Sequence, residues 1–197
     1  MNTHSKPNRR QQILEVLAME LESNPGTRIT TAALAKAVGV SEAALYRHFS
    51  SKAKMFEALI DFTEDSVFSL VNKIIEQESG LINRCDHIVK LLLGFSERNP
   101  GITRILLGDA LVGENERLRI RVGKFFERLE TQFKQLLREA NLTNGPRASA
   151  SIDATANQIM ALVEGRMSQF VRSNFNKKPT IYCDEQWAML KAGLFKY

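Results

Sequence analysis

The chain has few of the features that mark a catalyst, a secreted scaffold or a membrane protein. Its two cysteines, Cys85 and Cys183, stand far apart with no C-x-x-C spacing, which argues against a disulfide framework and against a thiolate metal site. Its three histidines, His4, His48 and His87, have no metal-ligand spacing. There is no H-E-x-x-H, no P-loop and no G-x-G-x-x-G. No run of 18 apolar residues offers a membrane span, and no signal peptide is expected. The expectation is an intracellular chain with reduced thiols. Only 5 of the 197 residues are proline, and no long β-branched alternation occurs, so an all-α fold is expected. Glu130 and Glu164 read as helix-face carboxylates. No enzyme activity, cofactor or metal is expected.

What is present is a globular balance, 44% hydrophobic and 25% charged, with an uneven charge. Residues 1–54 hold eight basic and four acidic side chains, a net +4 of the total +5. A positive head on a nearly neutral body suits contact with phosphates.

The most informative stretch runs from Thr30 to Lys54. Thr30 or Thr31 is a fitting cap for a first short helix with an apolar stripe at Leu34, Ala35 and Val38. Gly39 supplies the positive φ of a sharp exit, and Val40 a buried elbow. Ser41 caps a second helix from Glu42 to Phe49, with Ala44, Leu45 and Phe49 inward. Its other face carries Ala43, Tyr46, Arg47 and His48. This spacing predicts a helix-turn-helix, whose second helix enters a DNA major groove. Ala43 and Arg47 are the candidates for base edges. Thr30, Ser41, Tyr46 and Lys52 are the candidates for phosphates, and His48 suits either.

Residues 1–8 are expected to form a disordered arm, and Arg9 and Arg10 open a helix with Ile13, Leu14, Leu17, Ala18 and Leu21 on one side. That helix is predicted to back the helix-turn-helix and to end at Asn24-Pro25-Gly26. Later helices are predicted over Lys52 to Glu78, Leu81 to Arg98, Ile102 to Leu111, Glu114 to Ala140, Ile152 to Phe175 and Glu185 to Phe195, with a loop from Asn141 to Ser149. In the first of these Leu70 is expected inward, while Phe62 falls on a polar face. The last two are predicted to form an antiparallel pair with spare apolar surface, which a symmetry mate covers as a four-helix bundle; Val163 and Met167 read as inward, on either that seam or the protomer's own core.

The run "ITTAALAKAVGVSEAALYRHFSSKAKMFEALI", with its Y-x-H-F-x-x-K segment, resembles the DNA-binding region of TetR-type regulators. The resemblance implies a three-helix helix-turn-helix head on a helical regulatory and dimerisation body. We divide the chain accordingly at residues 1–54 and 55–197. It implies a homodimer on palindromic double-stranded DNA. The body segments "LLLGFSERNPGITRILLGDAL", "FFERLETQFKQLLREANL" and "FVRSNFNKKPT" resemble the nucleoid occlusion factors of gamma-proteobacteria within that type. This second resemblance implies a cytoplasmic, nucleoid-associated inhibitor of cell division. It would bind the C-terminal tail of the tubulin-like protein FtsZ when on DNA. The alternative is a ligand-responsive repressor with a pocket among the body's Phe and Met residues, although such residues at helical spacing also read as plain core.

A tail-binding groove is expected where two helices carry apolar residues outside their core stripes. Phe62 lies on one, and Leu91, Gly94, Phe95 and Arg98 form a row on the next. The break at Gly80 makes these helices antiparallel neighbours. Gly94 would leave room for a peptide, Phe62 and Leu91 would grip an apolar side chain, with Phe95 in the same row, and Arg98 with Asn99 would take carboxylate or carbonyl oxygens. The same resemblance has a basic residue where this chain has Leu70.

Overall fold

The computed structural model describes residues 8–143 and 145–196; most of the expected N-terminal arm, with His4, lies outside them. Among the described residues it contains α1 (Arg9–Ser23), α2 (Thr31–Val38), α3 (Glu42–His48), α4 (Lys52–Gln77), α5 (Leu81–Arg98), α6 (Pro100–Leu106), a 3-10 turn at Asp109–Leu111, α7 (Glu116–Ala140), α8 (Ile152–Arg172) and α9 (Cys183–Leu194). One small departure from an all-α chain is a two-residue strand β1 (Arg147–Ala148), antiparallel to β2 (Phe195–Lys196). It ties the end of the α7–α8 connection to the end of α9.

The local signals act as expected in the head. Asn8, Thr30, Ser41 and Ser51 each accept a backbone N–H at the start of the helix they cap. Gly39 ends α2 at φ 76°, a left-handed conformation that costs glycine nothing. Ile13, Leu14, Leu17 and Leu21 of α1 are buried with Leu34, Val38, Leu45 and Phe49. Val40 is only half-buried.

This head cluster does not stop at the helix-turn-helix. It takes in Met55 to Ile60 of α4, and also Ile105, Leu111, Leu118 and Val122 from the body. The second cluster fills the body from Val67 and Phe68 on α4, through α5 and α7, to Ile159, Met160, Val163 and Met167 on α8. One continuous helix, α4, therefore serves both cores.

One inward assignment on α4 changes. Leu70 is 39% exposed, because α4 turns Phe68 and Val71 to the body instead. Val163 and Met167 lie inward as expected, 0% and 3% exposed within a single chain, and of the two settings open to them it is the protomer's own core. The Asn99-Pro100-Gly101 stop does end α5, yet Pro100 is at once the first turn of α6. Helix α6 is shorter than expected and ends at Leu106.

Three contacts brace head against body. Arg104 of α6 is 1% exposed and donates to the Leu21 and Asn24 carbonyls at the end of α1, at 2.7 and 2.9 Å, and to Asp109. Gly101 packs directly on the α1 backbone at Ala18. Helices α4 and α7 are laced by charge: Arg117 bonds Glu57, and Arg121 reaches Asp61 and Glu64 at 2.6 and 2.9 Å. Hydrogen bonds from Lys54 and from Arg117 hold the Glu57 carboxyl below its usual range despite burial.

Candidate nucleic-acid interface and partner groove

The outer face of α3 presents Ala43, Tyr46, Arg47 and His48 to solvent, while Leu45 anchors the other side. Thr31 donates to Glu42 at 2.8 Å and so pins α2 to α3. Thr30 Oγ1 accepts from Ala33 N–H at 3.1 Å, and Ser41 Oγ accepts from Ala44 N–H at 3.2 Å. Each hydroxyl keeps its own proton for an outside acceptor, so capping and phosphate donation are compatible. Arg10 stacks over the Phe49 ring at 4.6 Å and remains exposed to solvent.

Lys52 departs from its expected setting. Its ammonium donates to the Ile29 carbonyl at 2.8 Å and pairs with Glu114 at 2.5 Å, with only 16% of the side chain exposed. In the free chain it is therefore engaged by the protein, unlike Arg47.

Some of the residues expected to line a groove border a hollow, and others do not. A surface hollow of about 460 Å³ is lined by Phe62, Arg98 and Asn99. Its opposite wall is α1, with Leu14, Ala18 and Met19, and Gly101 and Ile102 also line it. Phe62 is 46% and Met19 63% exposed. Glu15 and Glu22 add negative charge along the rim, opposite Arg98. Phe95 is not part of this groove. It is 8% exposed in the body cluster, because α5 is surrounded by α4, α6, α7, α8 and α9 and has little open face left. Leu91 and Gly94 are half-buried and lie outside the hollow. A Cβ on Gly94 would meet Arg98 Nη1 at 3.3 Å, so the space above Gly94 is taken by that guanidinium. The α1 wall had no sequence signal beyond the exposed Met19.

On the far side of the body, α8 and α9 leave a shallow groove lined by Gln158, Ala161, Leu162, Gln186, Met189 and Leu190. Met189 is 78% exposed. The body's Phe125, Phe133, Met160 and Met167 are packed into its core cluster.

Residues 13–59 match the family of bacterial regulatory proteins of the tetR type, and residues 79–195 match the SlmA-like, tetracyclin repressor-like C-terminal domain. The nucleoid occlusion factor SlmA of Alteromonas mediterranea is 57% identical over 186 residues, 94% of this chain and 95% of that protein. This chain belongs to the SlmA family. The SlmA of Shewanella woodyi is 54% identical over 196 residues, all of both chains. Among solved structures, the MbdR regulator from Azoarcus sp. CIB superposes with a TM-score of 0.80 at 15% identity, over 95% of this chain and 99% of that one. FadR from Bacillus subtilis, solved with stearoyl-CoA, gives 0.74 at 12% identity over 93% and 98%. These two likenesses carry the fold, an all-α TetR-type architecture, and nothing finer. The SlmA family match spans both the head and the body that walls the groove. No helix among the described residues is long and apolar enough to cross a membrane.

Proposed function

We propose that this member of the SlmA family is a nucleoid occlusion factor. It binds palindromic chromosomal sites as a homodimer and, on DNA, binds the FtsZ C-terminal tail and inhibits division-ring assembly. Residues 1–54 are the DNA-binding unit and 55–197 the dimerisation and partner-binding unit. The activity is binding rather than catalysis, and its place is the cytoplasm, on the nucleoid. The observation that carries this reading is full-length similarity to proteins named nucleoid occlusion factors, in the body as well as the head.

On DNA, Ala43 and Arg47 face base edges, Thr30, Ser41 and Tyr46 hold phosphates, and His48 does either. Arg47→Ala should weaken operator binding by about 1–3 kcal/mol and narrow the gap between operator and random duplex. Titration of both duplexes checks this. An unchanged ratio would remove Arg47 from base readout.

The tail site is the groove of Phe62, Arg98 and Asn99, with Leu91 and Gly94 beside it. Phe62 supplies apolar grip and Arg98 a cation for the tail's oxygens. Pull-down of FtsZ, with and without operator duplex, is the direct test. Phe62→Ala and Arg98→Ala should each abolish capture while leaving operator binding and melting temperature unchanged. Capture at wild-type level would place the tail elsewhere. No capture by the wild-type protein in either condition would favour the ligand-responsive repressor.

The homodimer is assigned to the outer face of α8 and α9, where small Ala161 and apolar Leu162, Met189 and Leu190 suit a four-helix seam. Met189→Glu should give a folded monomer by sedimentation, since its side chain touches little of its own chain. Sedimentation of this variant as a dimer would exclude that face.

A further inference from the structure

Two cations of the head are held by one carboxylate of the body. Glu114 sits in the connection before α7, with a side chain only 7% exposed. Its Oε1 is 2.5 Å from Lys52 Nζ and 3.2 Å from Arg28 Nε. Arg28 also donates to the Gly113 carbonyl at 3.1 Å, so residues 113 and 114 together face the head. Lys52 opens α4 immediately after α3, beside the helix that presents Arg47. Arg28 stands on the connection from α1 to α2, with 64% of its side chain exposed.

A carboxylate and a DNA phosphate offer the same thing to such cations: a negative oxygen that accepts charged hydrogen bonds. Lysine is a point charge on a flexible stem and can turn from one acceptor to another. We infer that Glu114 is an internal stand-in for a DNA phosphate, holding Lys52 and Arg28 in the free protein until a duplex displaces it. This rests on the reading of the head as a DNA binder. The contact lowers attraction to any duplex, because one carboxylate shared by two of the head's cations removes one of their two charges. It spares discrimination, because Arg47 and Ala43 are untouched by it. The body thereby sets how strongly the head binds DNA at random, through a residue that contacts no base.

The test is Glu114→Gln in the full-length chain, which keeps the shape and removes the charge. Binding is followed against salt with a short labelled duplex of random sequence. Affinity should rise about tenfold while the log–log salt slope stays within about half a unit of wild type, because Lys52 meets the same phosphate in both bound complexes. Lys52→Met in the Glu114→Gln background should cancel most of the gain and make the slope shallower by about one. Glu116→Gln, an exposed carboxylate two residues on, should give much less. An unchanged affinity for Glu114→Gln, an equal gain for Glu116→Gln, or a gain that survives Lys52→Met would each overturn the inference. If Glu114→Gln fails to fold, Lys52→Met alone decides: its slope should be shallower than wild type by about one, and an unchanged slope overturns the idea. Absence of any duplex binding by the wild-type protein would instead sink the DNA reading itself. Arg47-dependent binding with no effect of Glu114→Gln would sink only this inference.

Discussion

Gly101→Ala should loosen the join between the two cores and lower the melting temperature by about 6–12 °C, the shift expected for ~3 kcal/mol in a chain of this size. A Cβ at that position would stand 2.1 Å from the Ala18 carbonyl oxygen and 3.1 Å from the Glu22 backbone nitrogen. Both are main-chain atoms in the second half of α1, so no side chain can swing aside. Either α6 withdraws from α1 or α1 bends. Gly101 also lines the groove with Phe62, so capture of the partner tail should fall with stability. Thermal melting is the measurement. An unchanged midpoint would mean that α1 and α6 pack less closely than described.

Arg104→Met should cost on the order of 3 kcal/mol in urea unfolding, since it removes one member of a buried charged network. The Leu21 carbonyl would lose its side-chain donor, whereas the Asn24 carbonyl keeps the Thr27 N–H and hydroxyl. Asp109 is 40% exposed at its side chain and can return to water, so most of the loss falls on α1. Arg104→Lys should recover less than half of it, because an ammonium cannot reproduce a planar fork that spans two carbonyls and a carboxylate. Equal stability for Arg104→Lys and wild type would show that charge alone holds the contact.

The head was legible because its signals are local. A cap, an αL glycine and a second cap within twelve residues determine α2, the turn and α3 with little help from the rest of the chain. The bracing residues were not legible. Gly101 follows Asn99-Pro100 and reads as punctuation, whereas its absent Cβ is used by a helix 80 residues earlier. Arg104 reads as one more charge on a short helix, and only its distant carbonyl partners give it a role. Phe95 and Leu70 were exchanged for a related reason. Periodicity gives the faces of a helix, but the number of neighbours around it decides which faces are covered. Helix α5 has five helical neighbours, so its second row sank into the core. The outer wall of the groove came from α1, which no spacing within α4 and α5 could reveal.

The continuity of α4 through both cores has a mechanical side. Twenty-six helical residues make a rod of roughly 39 Å at about 1.5 Å per residue. A tilt of about 5° about its body end would carry the other end through roughly 3.4 Å, the spacing of one nucleotide along a DNA strand. In the proposed dimer on DNA, two such rods, one per protomer, would act as the arms of a caliper set to the pitch of the duplex. Play of a few degrees in either arm would shift a recognition helix by a whole base pair. The braces at Gly101, Arg104 and the α4–α7 charges thus bear on gauge as much as on stability, and a variant that softens them should misread half-site spacing before it unfolds.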